Sequence, residues 1–153
     1  MTMETTDYVS YPLALALKKA GFDWECDHYY TNGYVNDNPE DISRVVKLHS
    51  GRLYNHNMVI SSDGECVSAP FLSQAQKWLR EEWGIHINVC IYSDYSTDAD
   101  GKVCDRWDFW GFDLYAVSGG KQIEDGDGEY DSYEQALSAG IAAALELIEK
   151  KGE

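Results

Sequence analysis

Apolar residues recur at helical spacing in three segments of the chain, and each segment predicts a helix. The segments are residues 12–20, 71–83 and 133–150. Gly21 and Gly84 directly follow the first two segments. Glycine commonly ends a helix because it tolerates the left-handed backbone conformation, so both residues are expected to mark helix ends.

Between the last two helical segments, residues 85–92 alternate between apolar and polar side chains, the period of two that a half-buried strand requires. Turn sequences at residues 98–101 and 119–120 then separate a second strand, predicted over residues 105–117, from a short third strand over residues 121–124. Short turns join antiparallel neighbours. This part of the chain therefore predicts a helix, a three-stranded antiparallel sheet and a helix.

Residues 23–67 show no sustained periodicity and many turn-forming pairs, among them Asn32-Gly33 and Ser50-Gly51. We predict a loop-rich arm with one or two short strands in this region. The expected fold is α+β in one domain, residues 1–153. Residues 1–67 hold the N-terminal helix and the loop-rich arm. Residues 68–153 form the core, in the order helix, three-stranded antiparallel sheet and helix.

The second strand mixes aromatic and charged residues in a way that strict alternation does not explain. Alternation would place Asp113 on the same face as Trp107 and Phe109. A bulge at Trp110 and Gly111 would instead turn Trp107, Phe109, Phe112, Leu114 and Ala116 toward the core and leave Asp108, Trp110, Asp113 and Tyr115 facing out.

This bulge defines a predicted interaction surface on the outer face of the sheet. Its residues are His86, Asn88, Cys90, Tyr92, Trp110, Asp113 and Tyr115. Aromatic rings beside short polar groups are typical of the centre of a protein or homodimer contact. The alternative is that residues 1–67 cover this face within the chain.

The chain carries 12 Lys and Arg against 27 Asp and Glu, a net charge of −15. Residues 94–153 hold 15 of these acids and only five bases. Binding to nucleic-acid phosphate depends on clustered bases that displace counterions. A nucleic-acid partner is therefore not expected, whereas basic protein partners are.

The four cysteines, Cys26, Cys66, Cys90 and Cys104, are too far apart in sequence for the usual zinc spacing. The N-terminal residues lack the basic and apolar regions of a signal peptide, and no segment is apolar enough to span a membrane. We expect reduced thiols in a cytoplasmic protein, although an even count also permits an oxidising compartment.

The densest polar segment, residues 124–131, places Asp125, Asp127, Glu129 and Asp131 at alternate positions. A calcium loop would also need Gly at its sixth position and Glu at its twelfth. We interpret the segment as a solvated acidic turn before a helix and expect no metal and no cofactor, with loose divalent binding as the alternative.

No familiar catalytic motif occurs in the chain. His86 and Cys90 alternate on one strand, but four positions separate them by about 13 Å, too far for a thiolate-imidazole pair. His56 is interpreted as a turn residue. Catalysis is not expected.

The layout of residues 71–150 resembles the double-stranded-RNA-binding domain. The resemblance rests on Gly119-Gly-Lys, Asp127-Gly-Glu, Ser132 and the alanine-rich run from Ala136 to Leu145. It covers about half of the chain and implies a topology. In that family two lysines at the start of the last helix bind phosphate, and the matching positions here hold Tyr133 and Glu134.

A second resemblance spans most of the chain. Its anchors are Phe22-Asp-Trp24, Ser68-Ala-Pro with Gln76-Lys-Trp-Leu-Arg80, and the Ser-Tyr-Glu-Gln-Ala start of the last helix. They are similar to a family of small uncharacterised bacterial proteins, some carried by phages and other mobile elements. The resemblance implies kinship and no activity or site residues.

Three functions follow in order of preference. The first is a non-catalytic acidic cytoplasmic protein that binds another protein. The second is an inhibitor that imitates nucleic-acid charge and occupies a DNA-binding protein, and the third is a small-molecule enzyme.

We predict that the chain does not bind duplex RNA. Tyr133 and Glu134 replace the phosphate-binding lysines, and the loop between the first two strands is acidic through Asp94, Asp98 and Asp100. A gel-shift titration with duplex RNA is the measurement. Micromolar, salt-sensitive binding would contradict the prediction.

Overall fold

The computed structural model describes residues 7–35, 38, 40–41, 43–60, 65–126 and 128–151. The helices are α1 (Tyr11–Lys19), α2 (Leu72–Glu82) and α3 (Tyr133–Lys151). The strands are β1 (Cys26–Tyr34), β2 (Arg44–Tyr54), β3 (Glu65–Ser68), β4 (Ile85–Thr97), β5 (Val103–Ala116) and β6 (Gln122–Asp125). They form two antiparallel sheets, ordered β2-β1-β3 and β4-β5-β6. The predicted α+β class is confirmed.

The prediction of a loop-rich arm with one or two short strands in residues 23–67 understates the strands, because β1, β2 and β3 form a sheet that occupies most of this region. Asn32 and Gly33 lie inside β1, paired with Val46 and Val45 of β2, and are not in a turn. Strand pairing uses backbone groups that every residue but proline supplies, so β1 forms despite its polar sequence. The other turn-forming sequences of this region, residues 36–39 and 63–64, fall largely outside the described residues.

Tertiary contacts stabilise β1 despite its polar sequence. The hydroxyl of Tyr30 donates a hydrogen bond to the carbonyl of Val9 at 2.7 Å, and its ring meets that of Tyr11 edge-on. Val67 on β3 is fully buried beside it. One face of the first sheet therefore packs on the segment that leads into α1.

Helix α1 ends at Gly21, as predicted. Gly21 has a φ of +95°, and its N–H donates to the carbonyl of Lys18 at 3.1 Å. The N–H of Phe22 donates to the carbonyl of Leu17 at 3.0 Å, which completes a Schellman motif. The Phe22 ring is thereby buried against Trp78 of α2.

Helices α2 and α3 cover one face of the second sheet. Ile87 of β4 and Leu114 of β5 are fully buried beneath them, in one core cluster that also includes residues of α1 and β3. At Gly140, a β-carbon would lie 2.6 Å from Cγ2 of Ile87. Helix α3 therefore approaches the sheet more closely than any larger residue would allow.

The predicted bulge at Gly111 is also wrong. The pairing of β4 with β5 is continuous from Ile85 opposite Ala116 to Ser96 opposite Asp105, and the register shifts only beyond Ser96. Strict alternation therefore holds along both strands. Burial of Phe112 and Leu114 already follows from their positions, so no extra residue is needed to place them in the core.

We predict that Gly140→Ala destabilises the protein by about 1–3 kcal/mol, the usual cost of overpacking, although alanine favours helix by about 1 kcal/mol. The added methyl would collide with Ile87. Thermal and urea unfolding are the measurements, with Glu146→Ala on the exposed face of α3 as the control. In an Ile87→Ala background the same substitution should cost much less. Equal cost in both backgrounds would contradict the packing argument.

Candidate interaction surface on the second sheet

Strict alternation places two rows of side chains on the face of the second sheet that α2 and α3 leave open. Residues directly opposite each other in an antiparallel pair share a face. We define the hairpin outer face by these residues, which pair across β4 and β5: His86 with Tyr115, Asn88 with Asp113, Cys90 with Gly111, Tyr92 with Phe109, and Asp94 with Trp107.

The structure brings six of the seven predicted surface residues together on this face. Trp110 is the exception, because without the bulge it points to the opposite face. There its ring meets that of Tyr133 of α3 edge-on, with centroids 5.7 Å apart, and its backbone pairs with Tyr130. Trp107 and Phe109 take its place on the hairpin outer face, as simple alternation would have predicted.

Tyr92 lies at the centre of the hairpin outer face. Its hydroxyl donates a hydrogen bond to Oδ2 of Asp113 at 2.8 Å, and its ring stacks on Phe109 with centroids 5.6 Å apart. The ring also covers Gly111, where a β-carbon would lie 2.8 Å from Cε2 of Tyr92. Gly111 therefore gives the Tyr92 ring room to lie flat on the sheet.

The hydrogen bond to Asp113, followed by burial and by the charge of that carboxylate, raises the pKa of Tyr92. Ionisation would place a phenolate beside an acceptor that has no proton to donate. The hydroxyl thus remains a donor at neutral pH. Its stabilising effect is complete below the pKa of unfolded tyrosine, about 10, and is lost as the pH rises through the higher folded-state value.

The end of the hairpin outer face nearest α2 is half-buried and polar. The side-chain amide of Asn88 donates to Sγ of Cys90 at 2.9 Å. Nδ1 of His86 is buried and has no hydrogen-bond partner among the described residues. The thiol of Cys90 is thus engaged by an amide, and the arrangement does not form a nucleophile with an adjacent base.

The other end of the hairpin outer face is exposed and acidic. Every residue from 91 to 108 is exposed, and Trp107 retains 41% of its accessible surface. Asp94 and Asp105 flank this ring on the same face. Among the described residues, no ion pair involves a carboxylate of this hairpin. Exposed rings therefore lie beside carboxylates without a cationic partner.

His56 has a structural role in the first sheet. It opens a short 3-10 helix, His56–Met58, as a turn residue would. Its Nε2 lies 3.0 Å from the carbonyl of Cys26 and 3.2 Å from that of Arg52, so it donates to the irregular end of the β1–β2 pair. His49 and Tyr29 stack beside it.

The acidic segment before α3 is only partly described, because Asp127 lies outside the described residues. Asp125 ends β6, exposed, and its carboxylate accepts a hydrogen bond from Gln122. The hydroxyl of Ser132 accepts from the N–H of Gln135 at 3.1 Å, which caps α3. No group of three or more metal-ligating side chains occurs within the described ranges.

A groove of about 800 Å³ runs between α1 and α3. Its walls are mostly apolar side chains, including Ala16, Ala139 and Ala142, and Trp83 borders it. An exposed ion pair between Lys19 and Glu149, 2.7 Å long, crosses its rim. The sequence does not reveal the groove, because it depends on how two distant helices pack.

Comparison of the chain with family models, with curated proteins and with solved structures gives no match. The relationship to bacterial and phage proteins therefore stays a prediction. No helix in the described part of the chain has the length and apolar character needed to cross a membrane.

We predict that Gly111→Ala destabilises the protein by about 1 kcal/mol, since the new methyl would displace the Tyr92 ring from Phe109 and Asp113. In a Tyr92→Ala background the effect should change sign, because Gly in a strand interior costs about 0.5–1 kcal/mol relative to Ala. Urea unfolding of the four proteins is the measurement. The same sign in both backgrounds would show that Tyr92 is not the constraint at Gly111.

Proposed function

We propose that this protein is a non-catalytic cytoplasmic module that binds a basic segment of another protein through the hairpin outer face. The observation that supports the proposal is the exposed ring of Trp107, with Asp94 opposite it and Asp105 two residues before it on the same face. None of the three has a cationic partner in the described chain. Arginine and lysine bind such sites doubly, through the ring and through the carboxylates.

The chain contains an example of the ring contact alone. The guanidinium of Arg44 lies 4.3 Å from the ring centroid of Tyr34 and donates to the Tyr34 hydroxyl at 3.0 Å. On the hairpin outer face the exposed ring of Trp107 is available for the same contact. The free thiols of all four cysteines support a reducing compartment.

The alternative function is an inhibitor that imitates nucleic-acid charge. The net charge of −15 and the exposed carboxylates of Asp98 and Asp100 at the hairpin tip favour it. A charge mimic would depend on its carboxylates and lose affinity steeply with salt, whereas the proposed contact depends on its rings as well. A substitution that removes a ring therefore distinguishes the two functions, because only the proposed contact depends on the rings.

We predict that Trp107→Ala weakens binding of a disordered Arg-Gly-Ser peptide by about tenfold, the effect of losing a central aromatic contact. Trp83→Ala is the matched control, since Trp83 is equally exposed, at 43%, but borders the α1–α3 groove. Fluorescence anisotropy of the labelled peptide at about 0.15 M salt is the measurement.

A second pair of variants tests the carboxylates. Asp94→Asn with Asp105→Asn should weaken binding, whereas Glu134→Gln with Glu146→Gln, which removes the same charge from α3, should change it less than about twofold. Wild-type affinity in both hairpin variants would overturn the proposal. If the carboxylate variant loses peptide binding while Trp107→Ala binds normally, the result would favour the charge mimic.

A further inference from the structure

The basic residues of this acidic protein are unevenly distributed, and several of them lie together on one strand. Residues 43–60 contain Arg44, Lys47 and Arg52 and no acid. All three side chains lie on β2 and are exposed. Within the described residues, none of the three forms an ion pair. Strand β2 therefore carries three exposed positive charges that no carboxylate of the described residues neutralises.

Strand β2 is also an open sheet edge. It lies at the end of the β2-β1-β3 order, and nine of its eleven residues are exposed. Val45 and Val46 are among the exposed residues. An edge strand offers unpaired backbone N–H and C=O groups, and exposed β-branched residues make such an edge favourable for contact with another chain.

The hairpin of β4 and β5 has the opposite character. Residues 85–117 carry six acids, Asp94, Asp98, Asp100, Asp105, Asp108 and Asp113, against Lys102 and Arg106. β4 is likewise the terminal strand of its sheet. One chain thus presents an acid-free basic edge and an acidic aromatic hairpin, which are complementary in charge.

We propose that the hairpin outer face of one copy binds β2 of a second copy, an inference that rests on the function proposed above and names its partner. The long-range repulsion between two chains of charge −15 opposes this contact. At about 0.15 M salt, charges more than about 8 Å apart are largely screened, whereas pairs in contact are not. Local complementarity can therefore outweigh the net charge, and the contact is transient because one strand buries a small area.

The test uses the full chain and two charge-reversed variants. Variant one carries Lys47→Glu with Arg52→Glu, and variant two carries Asp94→Lys with Asp105→Lys, all at exposed positions. Each variant alone brings like charges together and should lose self-association at least about tenfold relative to the wild type. An equimolar mixture should regain it, because every contact between unlike copies joins opposite charges.

Sedimentation velocity at about 0.15 M salt measures the association, and circular dichroism checks the fold of each variant. Lys150→Glu with Lys151→Glu is the control, since it changes the net charge as variant one does but lies at the end of α3. The control should associate like the wild type. A wild-type chain that stays monomeric, or a mixture that fails to associate while both variants are folded, would overturn the inference.

The Arg-Gly-Ser peptide distinguishes this failure from failure of the proposed function. Variant one retains the hairpin outer face and should bind the peptide like the wild type. Peptide binding without self-association would leave the proposed function intact and exclude a second copy as the partner. Absence of both would remove both proposals.

Discussion

The contact between Gly140 of α3 and Ile87 of β4 is the constraint on which the rest of the second sheet depends. Because glycine has no side chain, α3 lies directly on the sheet at this point. The contact fixes which face of β4 is buried, and alternation then fixes the other face as the open one. Which side chains form the hairpin outer face therefore follows from which face of β4 is buried against α3.

Because the register between β4 and β5 is continuous, the buried face in the core also determines which face each residue occupies beyond the core. A slip of one residue would exchange the two faces, so burial of Ile87 and Leu114 beneath the helices determines the orientation of Trp107 near the exposed tip. The long pairing keeps the tip ordered as a ladder where no helix covers it. A hairpin whose strands are already paired loses less conformational entropy on binding than a segment that must first become ordered.

Much of this half of the fold could be predicted from the sequence, because its signals are local. Residues 71–83 and 85–92 carry strong periods of 3.6 and 2, and Gly84 separates them. The predicted bulge at Gly111 depends on the assumption that Trp107 and Phe109 belong in the core. The prediction is wrong because aromatic residues also occupy the open face, where Phe109 stacks on Tyr92.

The first sheet could not be predicted for a different reason. β1 contains Asn32-Gly33, a strong turn signal, and its strand conformation depends on pairing with β2 and β3, on both sides of it. Such long-range pairing overrides local preference. The basic edge of β2 and the α1–α3 groove were missed likewise, since both require knowledge of which segments are neighbours in space.

Stability and recognition are linked on the hairpin outer face through Tyr92. The same ring fills the space above Gly111, stacks on Phe109 and donates to Asp113. The hydrogen bond engages one carboxylate oxygen of Asp113, whereas Asp94, opposite Trp107, and Asp105, two residues before it, form no ion pair within the described residues. A basic partner would therefore be directed toward the hairpin tip, where its contact does not compete with the bonds that hold the sheet together.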